Sequence, residues 1–266
     1  MTRTLSVQEF AARKSGGLPI SVVTCYDHWS ARLLAGTAVD CLLVGDSVAM
    51  VMHGYDSTVH ADLDMMTLHT RSVSRGAAGK FIVTDMPFLA HRAGIPAAMA
   101  AVAQLVRAGA MAIKIEGAAG NLDLIRHVVE SGVPVMGHLG LTPQSHLMLG
   151  GHRVQGRDQQ VAEDILAAAG QLAAAGCFAL VLECIPHSLA ERVTRSIAIP
   201  TIGIGAGSQT DGQVLVLHDL LGMNETFRPR FVRHYGEGHR WVREAVDRFH
   251  ADVTSRHFPG PSETFS

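Results

Sequence analysis

Cysteine is scarce in this chain. The 266 residues hold four, Cys25, Cys41, Cys177 and Cys184, and no two of them form a C-x-x-C pair. Most sit in apolar runs, so they read as reduced core residues, and a disulfide or zinc framework is excluded. Charge of one sign is also lacking. The formal net charge is −2 with His neutral, which leaves no electrostatic footprint for nucleic acid or for an anionic membrane. No apolar run reaches the roughly 20 residues needed to span a bilayer. The opening segment, MTRTLSVQEFAARKSGG, has no apolar core of the signal-peptide kind. These absences lead us to expect a cytoplasmic protein whose partners are small molecules. Histidine is plentiful, at 15 residues, but it is scattered and no HExxH occurs. Most of these side chains are expected at the surface or behind a site rather than on a metal.

What is present is a repeating pattern. Apolar residues make up 47% of the chain, enough for a large core within one domain. Short β-rich apolar runs occur at 20–27, 41–47, 80–87, 111–117, 134–140, 178–185, 201–207 and 213–219. Between most of them lie Ala- and Leu-rich helical patterns such as PAAMAAVAQLVRAGA and VAEDILAAAGQLAAAG. Glycine follows several of these patterns, as it does at left-handed helix stops. Strands alternating with helices at this length predict an α/β fold, a (β/α)8 TIM barrel, with a doubly wound open sheet as its rival. No linker or repeat marks a second domain. The expectation is one barrel domain over residues 1–266, with a short N-terminal extension and an irregular tail, RHFPGPSETFS. The stretch from Met50 to Asp64 reads as a long loop that could cover a site.

The ends of the strands carry the chemistry. The second closes on Asp46 and Ser47, the third on Asp85, the fourth on Lys114 and Glu116, the fifth on His138 and the sixth on Glu183. An ionised carboxylate is expensive to bury without a partner, and in a barrel the carboxyl ends of the strands face the active site. In AIKIEG, period-2 alternation puts Ile113 and Ile115 on one face and Lys114 and Glu116 on the other. Asp46, Asp85 and Glu116 would then converge as an all-oxygen set. Such a set suits Mg²⁺, which keeps several waters and needs only one or two direct carboxylates. Helix capping by Asp46 or Asp85 and a plain buried Lys114–Glu116 pair are the structural alternatives. Glu183 stands between LVL and CIP. Apolar surroundings raise a carboxylate towards the range useful to a general base, unless it pairs with an Arg elsewhere in the chain. The GIGAG segment (Gly203, Gly205, Gly207) could hold an anion or form a tight turn, and it is not a GxGxxG fingerprint.

Together these stretches resemble a known family. TCYDHWSARLL, LLVGDSVAMVMHGYDST, HTRSVSRGA, TDMPF, IKIEG, GHLGLTPQS, GGHRVQGR, LVLECIP and IPTIGIGAGSQTDGQVLVLHDLLG are similar, in order, to the motifs of the ketopantoate (3-methyl-2-oxobutanoate) hydroxymethyltransferases. The resemblance implies a barrel of the phosphoenolpyruvate/pyruvate superfamily type. It implies transfer of a hydroxymethyl group from 5,10-methylenetetrahydrofolate to 3-methyl-2-oxobutanoate, giving 2-dehydropantoate on the route to pantothenate. It makes Asp46 and Asp85 ligands of Mg²⁺, with Glu116 completing the metal site partly through water. It assigns Asp46, Ser47, Asp85 and Lys114 to the oxo acid, Glu183 to proton abstraction, and the assembly to a homodecamer. Two departures fall outside those residues: the segment VHADLDMM, and His152, where the family commonly has an aromatic. A lyase or mutase of the same superfamily is the rival enzyme, but no KKCGH-type segment is present. A silent folate- or metal-binding protein would have no need of the intact set of acids.

Overall fold

The computed structural model describes residues 4–151, 153–226 and 229–265, so His152 lies outside the described residues. Its strands are β1 (Ile20–Thr24), β2 (Cys41–Val44), β3 (Phe81–Asp85), β4 (Ala112–Glu116), β5 (Val135–Gly140), β6 (Ala179–Glu183), β7 (Thr201–Ile204) and β8 (Gly212–Leu215). Each pairs in parallel with the next, and β8 closes on β1, so the sheet is a closed barrel and not the open alternative. Each predicted run holds one strand, and all but the fifth overshoot at their carboxyl ends. The last overshoots most, because β8 stops at Leu215 and a short helix begins at Leu217.

The helices are α1 (Val7–Ser15), α2 (His28–Ala35), α3 (Val48–His53), α4 (Leu63–Gly76), α5 (Ile95–Ala108), α6 (Leu122–Glu130), α7 (Gln159–Ala174), α8 (His187–Ser196), α9 (Leu217–Leu220) and α10 (Gly238–Thr254). Two apolar layers hold the barrel together. Ile113 and Ile115 belong to the outer one, packed with helix residues such as Leu105 and Ile125. The inner one fills the barrel with the opposite face of the strands and is joined by Phe10 of α1. A capping box between Ser6 and Glu9 starts α1. Phe10 is fully buried, and its ring centroid lies 5.2 Å from Phe81 and 5.3 Å from Phe178. Phe81 opens β3 and Phe178 precedes β6, so the N-terminal extension is a helix that closes the bottom of the barrel.

The stretch expected to be a long loop is largely ordered into turns of helix. Gly54, at φ +74°, stops α3. Ser57 then caps a 3₁₀ turn at Thr58–His60, and Asp62 caps α4 through the Met65 N–H. The chain divides into two compact units, Met1–Leu215 and Val216–Ser266. The first holds all the strands. The second holds α9 and α10, and after Thr254 its only regular element among the described residues is a 3₁₀ turn at Pro261–Glu263. No helix among the described residues is long and apolar enough to cross a membrane.

Candidate active site

Barrel register sets which strand-end side chains become neighbours. Asp85 lies opposite Lys114, Glu116 opposite His138, and Gly140 opposite Glu183. Alternation along β4 turns Lys114 and Glu116 inward, as the AIKIEG pattern predicts, because Ile113 and Ile115 are taken up by the outer apolar layer. The result is a chain of charges across the carboxyl end of the barrel. Lys114 Nζ is 3.2 Å from Asp85 Oδ1 and 3.6 Å from Glu116 Oε1. His138 bridges the next two acids, with Nδ1 3.2 Å from Glu116 Oε1 and Nε2 3.2 Å from Glu183 Oε2. Asp46, Asp85, Lys114, Glu116 and His138 are all buried. Glu183 is the outermost member, with 18% of its side chain exposed.

The capping alternative fails for both aspartates. The helix after Asp46 receives no side-chain cap. Asp46 Oδ2 instead accepts from Gln144 Nε2 at 2.9 Å, and Asp85 Oδ2 accepts the Asp46 N–H at 3.0 Å. Ser47 places its hydroxyl 2.8 Å from that of Tyr26. The Gln144 N–H donates to Glu116 Oε2 at 3.1 Å. The backbone around Glu183 is built for its place. Gly140 sits at φ +94°, and a Cβ there would collide with the Glu183 carbonyl oxygen. The next residue, Cys184, has φ +47°, a left-handed conformation that costs a non-glycine residue about 1–3 kcal/mol and concentrates at functional sites.

Electrostatics divide the acids. Burial, then the charges of Asp85 and Glu116, hold Asp46 well above the usual carboxylate range. Burial raises Asp85 as well, although Lys114 opposes it. Burial would also raise Glu116, but Lys114 and His138 outweigh it and the net shift is downward. Burial and Lys114 push His138 down, yet its contacts with Glu116 and Glu183 prevail and carry it up to about 9. Lys114 follows the same logic: burial disfavours its ammonium, while Asp85, Glu116 and Asp46 more than restore it. Negative charge is therefore in excess beside Asp46 and Asp85.

Comparison with known proteins decides the family. A family model described as ketopantoate hydroxymethyltransferase matches residues 4–261. A curated 3-methyl-2-oxobutanoate hydroxymethyltransferase from Bdellovibrio bacteriovorus is 51% identical over 98% of this chain and 99% of its own length. One from Legionella pneumophila is 47% identical over 98% of this chain and 100% of its own. The chain belongs to the ketopantoate hydroxymethyltransferase family. It is thus an enzyme, a hydroxymethyl transferase of the pantothenate pathway. Among solved structures, 2,3-dimethylmalate lyase, a PEP mutase/isocitrate lyase superfamily member, superposes with a TM-score of 0.61 at 16% identity, over 98% of this chain and 91% of its own. Phosphonopyruvate hydrolase in complex with oxalate and Mg²⁺ does so with a TM-score of 0.64 at 12% identity, over 99% of this chain and 93% of its own. At those identities the likeness concerns the fold alone, a (β/α)8 barrel.

The donor set of this hydroxymethyltransferase suits a hard cation. Asp85 Oδ1 and Glu116 Oε1 are buried and accept no hydrogen bond, since Lys114 and His138 reach them only as misaligned charges. Among the described residues no group of three or more His, Cys, Asp or Glu side chains is arranged to hold a metal ion by itself. Mg²⁺ does not need one, because water and substrate oxygens usually complete its shell. The sequence pointed to all of these acids and to His138, Lys114 and Ser47. It gave no weight to Gln144, which lies in the LTPQS segment and reaches Asp46 across 98 positions, or to Tyr26, just past β1. The GIGAG segment spans the end of β7 and the bend that follows it. Gly207 has φ +81°, a Cβ there would meet His187, and its carbonyl accepts from Gln213 Nε2 at 2.8 Å.

Proposed function

We propose that this barrel transfers a hydroxymethyl group from 5,10-methylenetetrahydrofolate to 3-methyl-2-oxobutanoate by enolisation followed by aldol addition. The observation that carries the reading is the unbroken series of buried charges from Asp46 and Asp85, through Lys114, Glu116 and His138, to Glu183. One end of that series is rich in negative charge and the other ends in a solvent-touching carboxylate. Asp46 and Asp85 would hold Mg²⁺, with Glu116 reaching it through water. When bound, the cation supplies Lewis-acid stabilisation of negative charge on the 2-oxo acid.

The chain's own groups do the rest. Lys114 places a fixed ammonium beside the oxo acid's anionic oxygens, and its neighbours keep it charged. The Ser47 hydroxyl orients the substrate's carboxylate end. Glu183 takes the proton from C3, and His138 beside it holds the carboxylate in place. Hydrolytic release of the one-carbon unit consumes one water, breaks two C–N bonds of the donor and returns tetrahydrofolate. The C3 carbanion then bonds to the one-carbon unit, whose oxygen takes up a proton. No electrons are gained or lost overall.

The test is an assay of tetrahydrofolate-linked dehydropantoate formation with purified protein, with and without Mg²⁺. Product that needs both folate and a divalent cation supports the reading. Product that forms equally well after chelation removes the metal from it. Turnover of a phosphonate or a 2-alkylmalate without folate would favour the lyase and mutase class instead.

A further inference from the structure

His53 and His69 take no part in the chemistry above. His53 closes α3, and His69 stands in the middle of α4. Their Nε2 atoms lie 2.8 Å apart, with the two ring planes at 86°. His53 is exposed and His69 half-buried, so solvent reaches the pair. The far side of His69 is fixed by the backbone, because its Nδ1 lies 2.5 Å from the Tyr26 carbonyl oxygen. A carbonyl only accepts, so Nδ1 carries the proton, and the neutral ring has its lone pair on Nε2. His53 must then donate to that lone pair through its own Nε2.

An imidazole held on a backbone carbonyl by one nitrogen, with the lone pair of the other turned outward, has the arrangement of a metal-ligating histidine. We propose that His53 and His69 form a binding site for a late transition-metal dication, Ni²⁺ or Cu²⁺, separate from the oxygen-rich Mg²⁺ site. Metal–nitrogen bonds run to about 2.0–2.1 Å. Two nitrogens at right angles on a planar or octahedral ion are then about 2.9 Å apart, and two on a tetrahedral ion about 3.3 Å. The 2.8 Å separation of the pair matches the first geometry, which Ni²⁺ and Cu²⁺ prefer and Zn²⁺ does not. Mg²⁺ is a poor competitor here, because it favours oxygen donors.

Loading the pair costs no net proton. The proton on His53 Nε2 moves through solvent to His53 Nδ1, which frees the second lone pair, and His69 keeps its bond to Tyr26. Water fills the remaining positions on the ion. The ion would bridge α3 to α4. Helix α3 begins directly after Ser47, and the Tyr26 hydroxyl lies 2.8 Å from that of Ser47. A bridge at this point therefore braces the segment that carries Asp46 and Ser47, from the side away from the acids. The site depends on no reading of the reaction.

Cu²⁺ is the probe, added at half an equivalent per chain to wild type, His53→Leu and His69→Asn, all with Mg²⁺ in excess to keep the oxygen-rich site filled. In His69→Asn the side-chain amide keeps an N–H for the Tyr26 carbonyl and loses the ring Nε2, so loss of the ligand is read apart from loss of that support. Electron paramagnetic resonance of wild type should show coupling to two equatorial imidazole nitrogens. Both variants should lose that pattern and bind Cu²⁺ at least about tenfold more weakly in calorimetry, a change of about 1.4 kcal/mol or more. One equivalent of Ni²⁺ should raise the unfolding midpoint of wild type and leave that of His53→Leu unchanged, since only a binder of the folded state stabilises it. Wild-type Cu²⁺ affinity in both variants, or a wild-type spectrum without two coupled nitrogens, overturns the proposal and leaves the pair as a plain hydrogen bond.

Discussion

Asp46 and Glu183 mark the two ends of the charge series, and their substitution should separate two functions. Asp46→Ala or Asp85→Ala removes a carboxylate from the end where negative charge is in excess. We expect Mg²⁺ affinity to fall in calorimetry and activity to drop by at least ~10²-fold, the loss that follows when several kcal/mol of charge stabilisation disappear. Wild-type affinity and activity in both variants would remove the aspartates from the metal site. Glu183→Gln keeps the side chain's shape and discards its proton acceptor. Folate-free exchange of the C3 proton in D₂O should fall by ~10²–10⁴-fold, the usual worth of a general base, while Mg²⁺ affinity stays at the wild-type level. Exchange at the wild-type rate would transfer the role to another group, with His138 the first to try. The acids were legible in the sequence because each one interrupts an apolar run. The partner of Glu183 was not. Its neighbours in the chain, Leu182 and Cys184, are apolar and suggest isolation, whereas the β5–β6 register brings His138 to 3.2 Å.

At the scale of elements, the periodic strands and helices could be read directly, and the irregular connections could not. Alternation in β4 gave the inward face of Lys114 and Glu116 because a strand's side-chain period is fixed. The segment after β2 has no such period, and only local caps reveal that it is helical: Gly54 in the left-handed region, then Ser57 and Asp62 as acceptors. Gln144 was illegible for a related reason, since its partners Asp46, Met86 and Glu116 come from other segments of the chain. Helix α1 was read only as an extension, yet Phe10 makes it a plug. Phe10→Ala empties a fully buried aromatic site between Phe81 and Phe178. The expected cost is about 3–5 kcal/mol, seen as a lower denaturant midpoint. Phe10 packs at the end of the barrel opposite the acids, so kcat at temperatures where the variant stays folded should remain near wild type. A large loss of kcat with an unchanged midpoint would mean that α1 acts on the site and not on the barrel's stability.

For the whole molecule, the open question is what covers α10. None of its residues is buried, and Val242, Val246, Phe249 and Val253 recur at helical spacing with exposures of 39%, 59%, 55% and 43%. An apolar stripe of this kind on a helix calls for a partner surface. A second copy of the chain is the partner that family membership favours, because the resemblance implies a homodecamer. We therefore expect light scattering at micromolar concentration to report an assembly of more than two chains. Introducing charge into the stripe with Val246→Asp and Phe249→Asp together should shift the population towards smaller species. The barrel unit, Met1–Leu215, holds every proposed site residue, so Mg²⁺ affinity per chain should persist in those smaller species. A monomeric wild type would contradict the assembly outright. An assembly whose size ignores the double substitution would keep the oligomer and assign its contacts to another surface.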